Sequence, residues 1–155
     1  MFGQATPNAY GCFDPPRTVG AINQFNLYEI RNPAASGVRL KLTSVTVAHS
    51  AGRQFRVIPS TLAQSTDLGT VLSTQPKAPE MPAAKAVPSN TNAQGTFAIG
   101  GTNTLHVEQL QALVVRDYVQ QGIEVPPGFA VFFSLGDTTD AAGESSTFSA
   151  EWIEY

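Results

Sequence analysis

Cys12, His49, His106 and the carboxylates of Asp137, Asp140 and Glu144 are side chains in this sequence that could act as nucleophile, base or ligand, and their spacing decides what each can do. The two histidines stand far apart, and neither has a histidine, cysteine or carboxylate at the spacing of a zinc site, where a catalytic ion takes three protein ligands. Glu108 lies two residues from His106 and would share its face on a strand, which makes a surface pair rather than a metal centre. A nucleophilic Cys12 would need an imidazole and an orienting group. Its Gly-Cys-Phe-Asp-Pro context indicates neither, so a packed thiol is expected. Asp137 to Glu144 gathers carboxylates in a loop, and a hard cation such as Ca²⁺ takes oxygen ligands from loops of this kind. The spacing does not match an EF-hand, and a plain acidic turn is the reading adopted. Gly100-Gly101 is followed by neither a phosphate-loop lysine nor a helix, so it reads as a turn. Two acids from distant strands could serve glycoside hydrolysis, but nothing singles out a pair. The sequence therefore predicts no enzyme: no catalytic residues, no cofactor and no metal.

Composition points the same way. Charged residues make up 14% of the chain, against about 25% in ordinary soluble proteins. Thr, Ser, Asn, Gln, Ala and Gly fill the difference. A neutral polar surface repels other proteins weakly, which suits a subunit packed in an assembly and also suits many all-β domains. A formal net charge of −3 with scattered basic residues argues against a nucleic-acid surface. Arg53 and Arg56, and Arg39 and Lys41, read instead as the solvent side of half-buried strands. With Cys12 as the only cysteine there is no intramolecular disulfide to expect. The start of the chain lacks the pattern of a signal peptide, and no apolar run is long enough to span a bilayer, so a soluble protein made in a cytoplasm is expected.

The elements that would position these residues are strands. Gln24 to Ile30 alternates, and Val38, Leu40 and Leu42 alternate with Arg39, Lys41 and Thr43 before the apolar parity flips at Ser44 to Val45 and Val47. Side chains in a strand repeat every two residues, so the flip predicts a bulge or bend at Thr43-Ser44. Ser50-Ala51-Gly52 then turns into Gln54 to Ile58 as an expected hairpin. Gly95 to Ile99, a Gly100 to Asn103 turn and Thr104 to Val115 read as another strand pair, although Glu108 to Leu113 also contains good helix formers. Val125-Pro126-Pro127-Gly128 reads as a turn opening a buried strand. In that strand Phe129, Val131, Phe133 and Leu135 share one face, while Ala130 and Phe132 take the other, so both sides need cover. In the last strand Phe148, Ala150 and Trp152 share a face. Short strands with turn signals and no long helix predict an all-β fold, an antiparallel β-sandwich or jelly roll.

Two segments stand outside that pattern. Residues 1–20 combine prolines and glycines with aromatics and read as an extended N-terminal arm, leaving 21–155 as a single sandwich domain. Within the domain, about 73–92 carries Pro76, Pro79, Pro82 and Pro88, each lacking the N–H that a ladder needs, and reads as a long extended loop. The candidate interface residues are accordingly Phe2, Tyr10 and Phe13 in the arm, Pro76, Pro79, Pro82 and Pro88 in the loop, and Phe132 as an outward-facing strand residue.

The Asn32-Pro33-Ala34-Ala35-Ser36-Gly37-Val38 connection, the Val125-Pro126-Pro127-Gly128-Phe129 turn and the closing Phe148-Ser149-Ala150-Glu151-Trp152-Ile153-Glu154-Tyr155 strand together give the chain a resemblance. It resembles small jelly-roll-like virion proteins of tailed bacteriophages, over Gln24 to Gly52 and Ile123 to Tyr155. The resemblance implies a capsid decoration or cement subunit on the virion exterior. Such a subunit is often a homotrimer, contacts the major capsid protein, and involves neither nucleic acid nor membrane. A tail or fibre subunit with a receptor-binding role and a carbohydrate-binding sandwich are the alternatives.

Overall fold

The structure, a computed structural model, describes residues 7–60, 69–94, 104–118, 123–136 and 140–155. Its strands are β1 (Asn8–Thr18), β2 (Gln24–Arg31), β3 (Leu40–His49), β4 (Gln54–Pro59), β5 (Thr70–Val71), β6 (Thr74–Pro76), β7 (Val87–Gln94), β8 (His106–Gln109), β9 (Arg116–Tyr118), β10 (Glu124–Val125), β11 (Ala130–Leu135) and β12 (Ser145–Glu154). They form a β-sandwich of two antiparallel sheets. One runs β10-β3-β12-β1-β6 with β9 also on β3, and the other runs β5-β7-β2-β11-β4-β8. The pairing is nested: β1 lies on β12, β2 on β11, β3 on β9 and β10, and β4 on β8.

The core follows the strand parities. Tyr28, Ile30, Phe55, Val57, Val131, Phe133 and Leu135 from one sheet meet Tyr10, Leu40, Val47, Phe148 and Trp152 from the other. Tyr28 stacks on Phe148 with ring centroids 4.3 Å apart. Every residue of β11 is buried, as its two-sided apolar pattern requires. Its second face is covered within the chain. Ala130 and Phe132 pack with Phe25 and Leu27 in a smaller cluster, against which Ile58 also lies. Phe132 is 1% exposed, so it is a core residue and not the outward-facing contact the sequence suggests.

The parity flip in β3 is a bulge. Glu151 faces Ser44 and Trp152 faces Leu42, leaving Thr43 without an opposite number. Leu42 and Val45 both stay buried as a result. On the other side of β3 the bulge separates its pairing with β10, at Leu40 and Lys41, from its pairing with β9, at Val45 to Val47.

Three expectations are corrected. Residues 8–18 of the expected arm are β1, an interior strand between β12 and β6. Pro15 and Pro16 fall where the register with β12 shifts between Asp14 and Arg17, so their missing N–H groups coincide with an existing break in the ladder. Phe2 lies outside the described residues. The proline-rich stretch carries strands at both ends, β6 and β7. Pro88 sits inside β7 opposite Ile30. Its carbonyl accepts from Leu72 N at 2.8 Å, which turns the side lacking an N–H away from β2. Ser50 to Gly52 does not close a hairpin, because β3 and β4 belong to different sheets and the turn carries the chain between them. The expected strand at Gly95 to Ile99 and its turn lie outside the described residues. Of the expected Thr104 to Val115 strand, His106–Gln109 is one.

Replacing Phe132 by Ala removes a buried ring from a packed face and should lower the unfolding free energy by about 3–5 kcal/mol. Urea denaturation measures it. A variant as stable as the parent would return Phe132 to the surface.

Candidate functional site

The only three-residue cluster of potential metal ligands among the described residues lies beyond the end of β3. His49, Asp140 and Glu144 bring one ligand atom each to within 4.8 Å of one another. His49 and Asp140 are fully buried, and Arg53 enters from the turn before β4. The Arg53 guanidinium donates to both Glu144 oxygens, Nε to Oε2 at 3.0 Å and Nη2 to Oε1 at 2.6 Å, and its Nε is 3.5 Å from Asp140 Oδ1. This is the forked geometry in which arginine holds a carboxylate most firmly.

The imidazole is fixed at both nitrogens. His49 Nδ1 accepts the Ala51 backbone N–H at 3.1 Å. The proton of the neutral ring therefore sits on Nε2, which donates to Asp140 Oδ2 at 3.2 Å. Ligating a metal through Nε2 would move that proton to Nδ1, directly against the Ala51 N–H. Arg53 already supplies the positive charge the carboxylates need. The donor set fits an ion-pair knot better than a cation site. The knot is also sterically exact at Gly136, where φ is +115° and any Cβ would overlap the Asp140 carboxylate. The loop is tied to the strand ends around it by Asn23 N to Asp140 O at 2.9 Å, Val19 N to Glu144 O at 2.7 Å and Gly136 N to Gln54 O at 2.9 Å.

A further carboxylate works at the other end of β12. Glu154 is 4% exposed, and its Oε1 accepts from Lys85 N at 2.8 Å, Ala86 N at 2.9 Å and Trp152 Nε1 at 3.2 Å. Oε2 takes a further bond from Lys85 N at 3.0 Å. Nearby, Tyr10 donates its hydroxyl to Pro82 O at 2.9 Å, and Lys77 N donates to Ala9 O at 2.9 Å. Burial, with a smaller contribution from the Glu154 charge, pushes the Tyr10 hydroxyl above its ordinary pKa. The segment between β6 and β7 is therefore docked on its own chain.

Between these ends lies a buried polar seam. Asn26 Nδ2 donates to Arg17 O at 2.8 Å and Ser146 Oγ at 2.6 Å, and Asn90 Nδ2 donates to Asp14 Oδ2 at 2.8 Å. Asn32 joins the Asn-Pro connection to the Pro-Pro-Gly turn, its Nδ2 donating to Val38 O at 2.8 Å and Val125 O at 2.9 Å. Gly128 takes φ of +89° in that turn, the position that favours glycine. Cys12 is buried, and loss of solvent pushes its thiol up to about 12, so it is a packed thiol with little nucleophilic character.

Of the expected interface residues, Tyr10, Pro76 and Pro82 come together within the chain, Tyr10 pairing with Pro76 and donating to Pro82 O, while Pro88 and Phe132 lie apart from them in the other sheet. Tyr10 and Phe132 are core residues, and Pro88 is buried in β7. Phe13 is 61% exposed on the outer face of its sheet, and Pro76, Pro79 and Pro82 are exposed. His106 and Glu108 do form the expected surface pair, at 2.8 Å, with Arg116 on the same carboxylate at 2.7 Å. The residues sequence reasoning missed are Glu154, Arg53 and the buried asparagines. Glu154 had a signal: it shares strand parity with Trp152 and so had to point inward. Compared with protein-family models, curated proteins and solved structures, the chain matches none.

Arg53 holds the Glu144 carboxyl below the usual carboxylate range, chiefly by its hydrogen bonds. A group whose folded pKa is depressed stabilises the fold above its unfolded value, about 4.3 for glutamate, and loses that contribution as pH falls through the folded value. The urea midpoint should therefore fall on acidification below that range. Arg53→Met should flatten this acid limb and lower stability at neutral pH, while chelator leaves the wild-type midpoint unchanged. An acid limb identical in both proteins, or a midpoint that drops with chelator, contradicts the ion-pair knot.

Proposed function

We propose that the chain is a non-enzymatic structural subunit of a virion, a capsid decoration or cement protein that bridges capsomers on the head exterior of a tailed phage. The observation that carries this reading is how the carboxylates of Asp140, Glu144 and Glu154 are held. Asp140 and Glu144 are occupied by His49 and Arg53, and Glu154 by backbone N–H groups of its own chain. Groups held this way brace a shell and leave no free base beside a nucleophile. The low charge density of the sequence suits a subunit packed among others. The nested pairing of β1 with β12 and β2 with β11 supports a jelly-roll wiring of the sandwich. The self and major-capsid contacts that go with this role belong to the same proposal.

A carbohydrate-binding module is the second reading, and one feature favours it. Phe13 stands exposed beside a shallow groove lined by Gly11, Gln75, Lys77, Ser149 and Glu151. Quantitative mass spectrometry of purified particles from the source of the sequence tests the first reading. A cement subunit is present in hundreds of copies per particle and a fibre in tens at most. Absence from the particle, with saturable glycan binding by a strict monomer, overturns the proposal in favour of the second.

A further inference from the structure

The outer face of the sheet that holds β1 carries a groove lined by residues of β1, β6 and β12. Gly11 forms its floor, and Phe13 rises beside it with 61% of its surface exposed. The register places the residues around them. Phe13 lies opposite Ser149 and Gly11 opposite Glu151 on β12, while Gly11 also lies opposite Gln75 on β6. Residues directly opposite on neighbouring strands point to the same side of a sheet, so these positions share one continuous surface. Lys77 reaches over from beyond the end of β6 and pairs with Glu151. The groove holds about 240 Å³, below the size of a drug-like pocket and suited to a single small ring.

Gly11 adds an independent observation. β1 is an interior strand, where a glycine weakens the sheet and contributes no side chain to pack. Its backbone is not in the left-handed region, so no turn requires it, and a Cβ built there would meet nothing closer than 3.4 Å, an ordinary contact. An alanine would therefore fit. What the missing side chain provides is the depth of the groove, and a glycine inside a strand often marks a place where another group approaches closely.

We propose that this groove binds a neutral sugar ring, with the apolar C–H face of a pyranose stacked on Phe13 and its hydroxyls on the polar rim. The charges select the class of ligand. Glu151 and Lys77 are the charged groups lining the groove, and they compensate each other, so neither an anionic nor a cationic ligand gains from it. Together they set a strong acceptor beside a strong donor, and neighbouring hydroxyls of a sugar present the matching donor and acceptor. Gln75 and Ser149 extend the same mixed chemistry along the rim. Phe13 has no polar atom and offers the ring only its face. The inference deepens the carbohydrate-binding reading and rests on it, whereas the particle count that tests the virion reading is decided independently.

Heteronuclear NMR titration of the intact chain with the methyl glycosides of glucose, galactose, mannose and N-acetylglucosamine tests it. At least one of them should give saturable shifts in the millimolar range, centred on the amides of Gly11 to Phe13, Gln75, Lys77 and Ser149 to Glu151. Phe13→Ala removes an exposed ring, so it should leave the unfolding midpoint in place while weakening binding by about tenfold or more. Phe13→Trp should strengthen binding through its larger face. The absence of a saturable shift with any of these glycosides overturns the proposal. So does a saturable site elsewhere on the chain, or a Phe13→Ala variant that binds as tightly as the parent.

Discussion

The carboxylate of Glu154 is the interaction on which the closure of this sandwich depends. Burying a charge costs several kcal/mol unless it is fully hydrogen-bonded, and Glu154 meets that demand with the N–H groups of Lys85, Ala86 and Trp152. Those partners are informative. Lys85 and Ala86 belong to the segment that leaves β6 in one sheet and enters β7 in the other, so its backbone has no ladder of its own there. Trp152 sits in the main core and would otherwise bury an indole N–H unpaired. One side chain therefore satisfies the crossing segment and the core aromatic together. The His49–Asp140–Arg53–Glu144 knot does comparable work where β3, β4 and the loop before β12 approach each other.

Seen this way, the proline-rich stretch is a structural wall of the sandwich. The segment crosses between the edges of the two sheets, and Tyr10 and Ala9 hold it from β1 while Glu154 holds it from β12. Proline restricts the conformations the unfolded segment can lose, which favours its ordering. Its N–H groups at Lys77, Met81, Lys85 and Ala86 find acceptors.

Strand identity was legible where a strand has one wet face or is flanked by clear turns. The β3 alternation, its flip at Ser44 with a bulge at Thr43-Ser44, the two-sided β11 and the shared face of Phe148, Ala150 and Trp152 all follow from side-chain parity, and the structure shows each. What parity does not encode is the partner. Ser50 to Gly52 looks the same whether the chain turns back on its own strand or crosses to the other sheet. Pro15-Pro16 and Pro88 masked β1 and β7, because whether a proline breaks a ladder depends on a bulge or on which side its nitrogen faces. Phe132 reads as outward in the sequence because its covering layer is built from Phe25, Leu27 and Ile58, which are distant from it along the chain. The ion-pair knot was half legible: the acidic loop stood out, but His49 and Arg53 reach it from residues about ninety positions earlier.

Glu154 fixes the crossing segment to the sheet. Native-state hydrogen exchange at the Lys85 and Ala86 amides measures this directly. Both should exchange slowly, with protection close to that of the neighbouring strands, and both should lose it in Glu154→Ala while the strand amides of β11 remain protected. Rapid exchange at Lys85 and Ala86 in the wild type, alongside a protected β11, would contradict the claim.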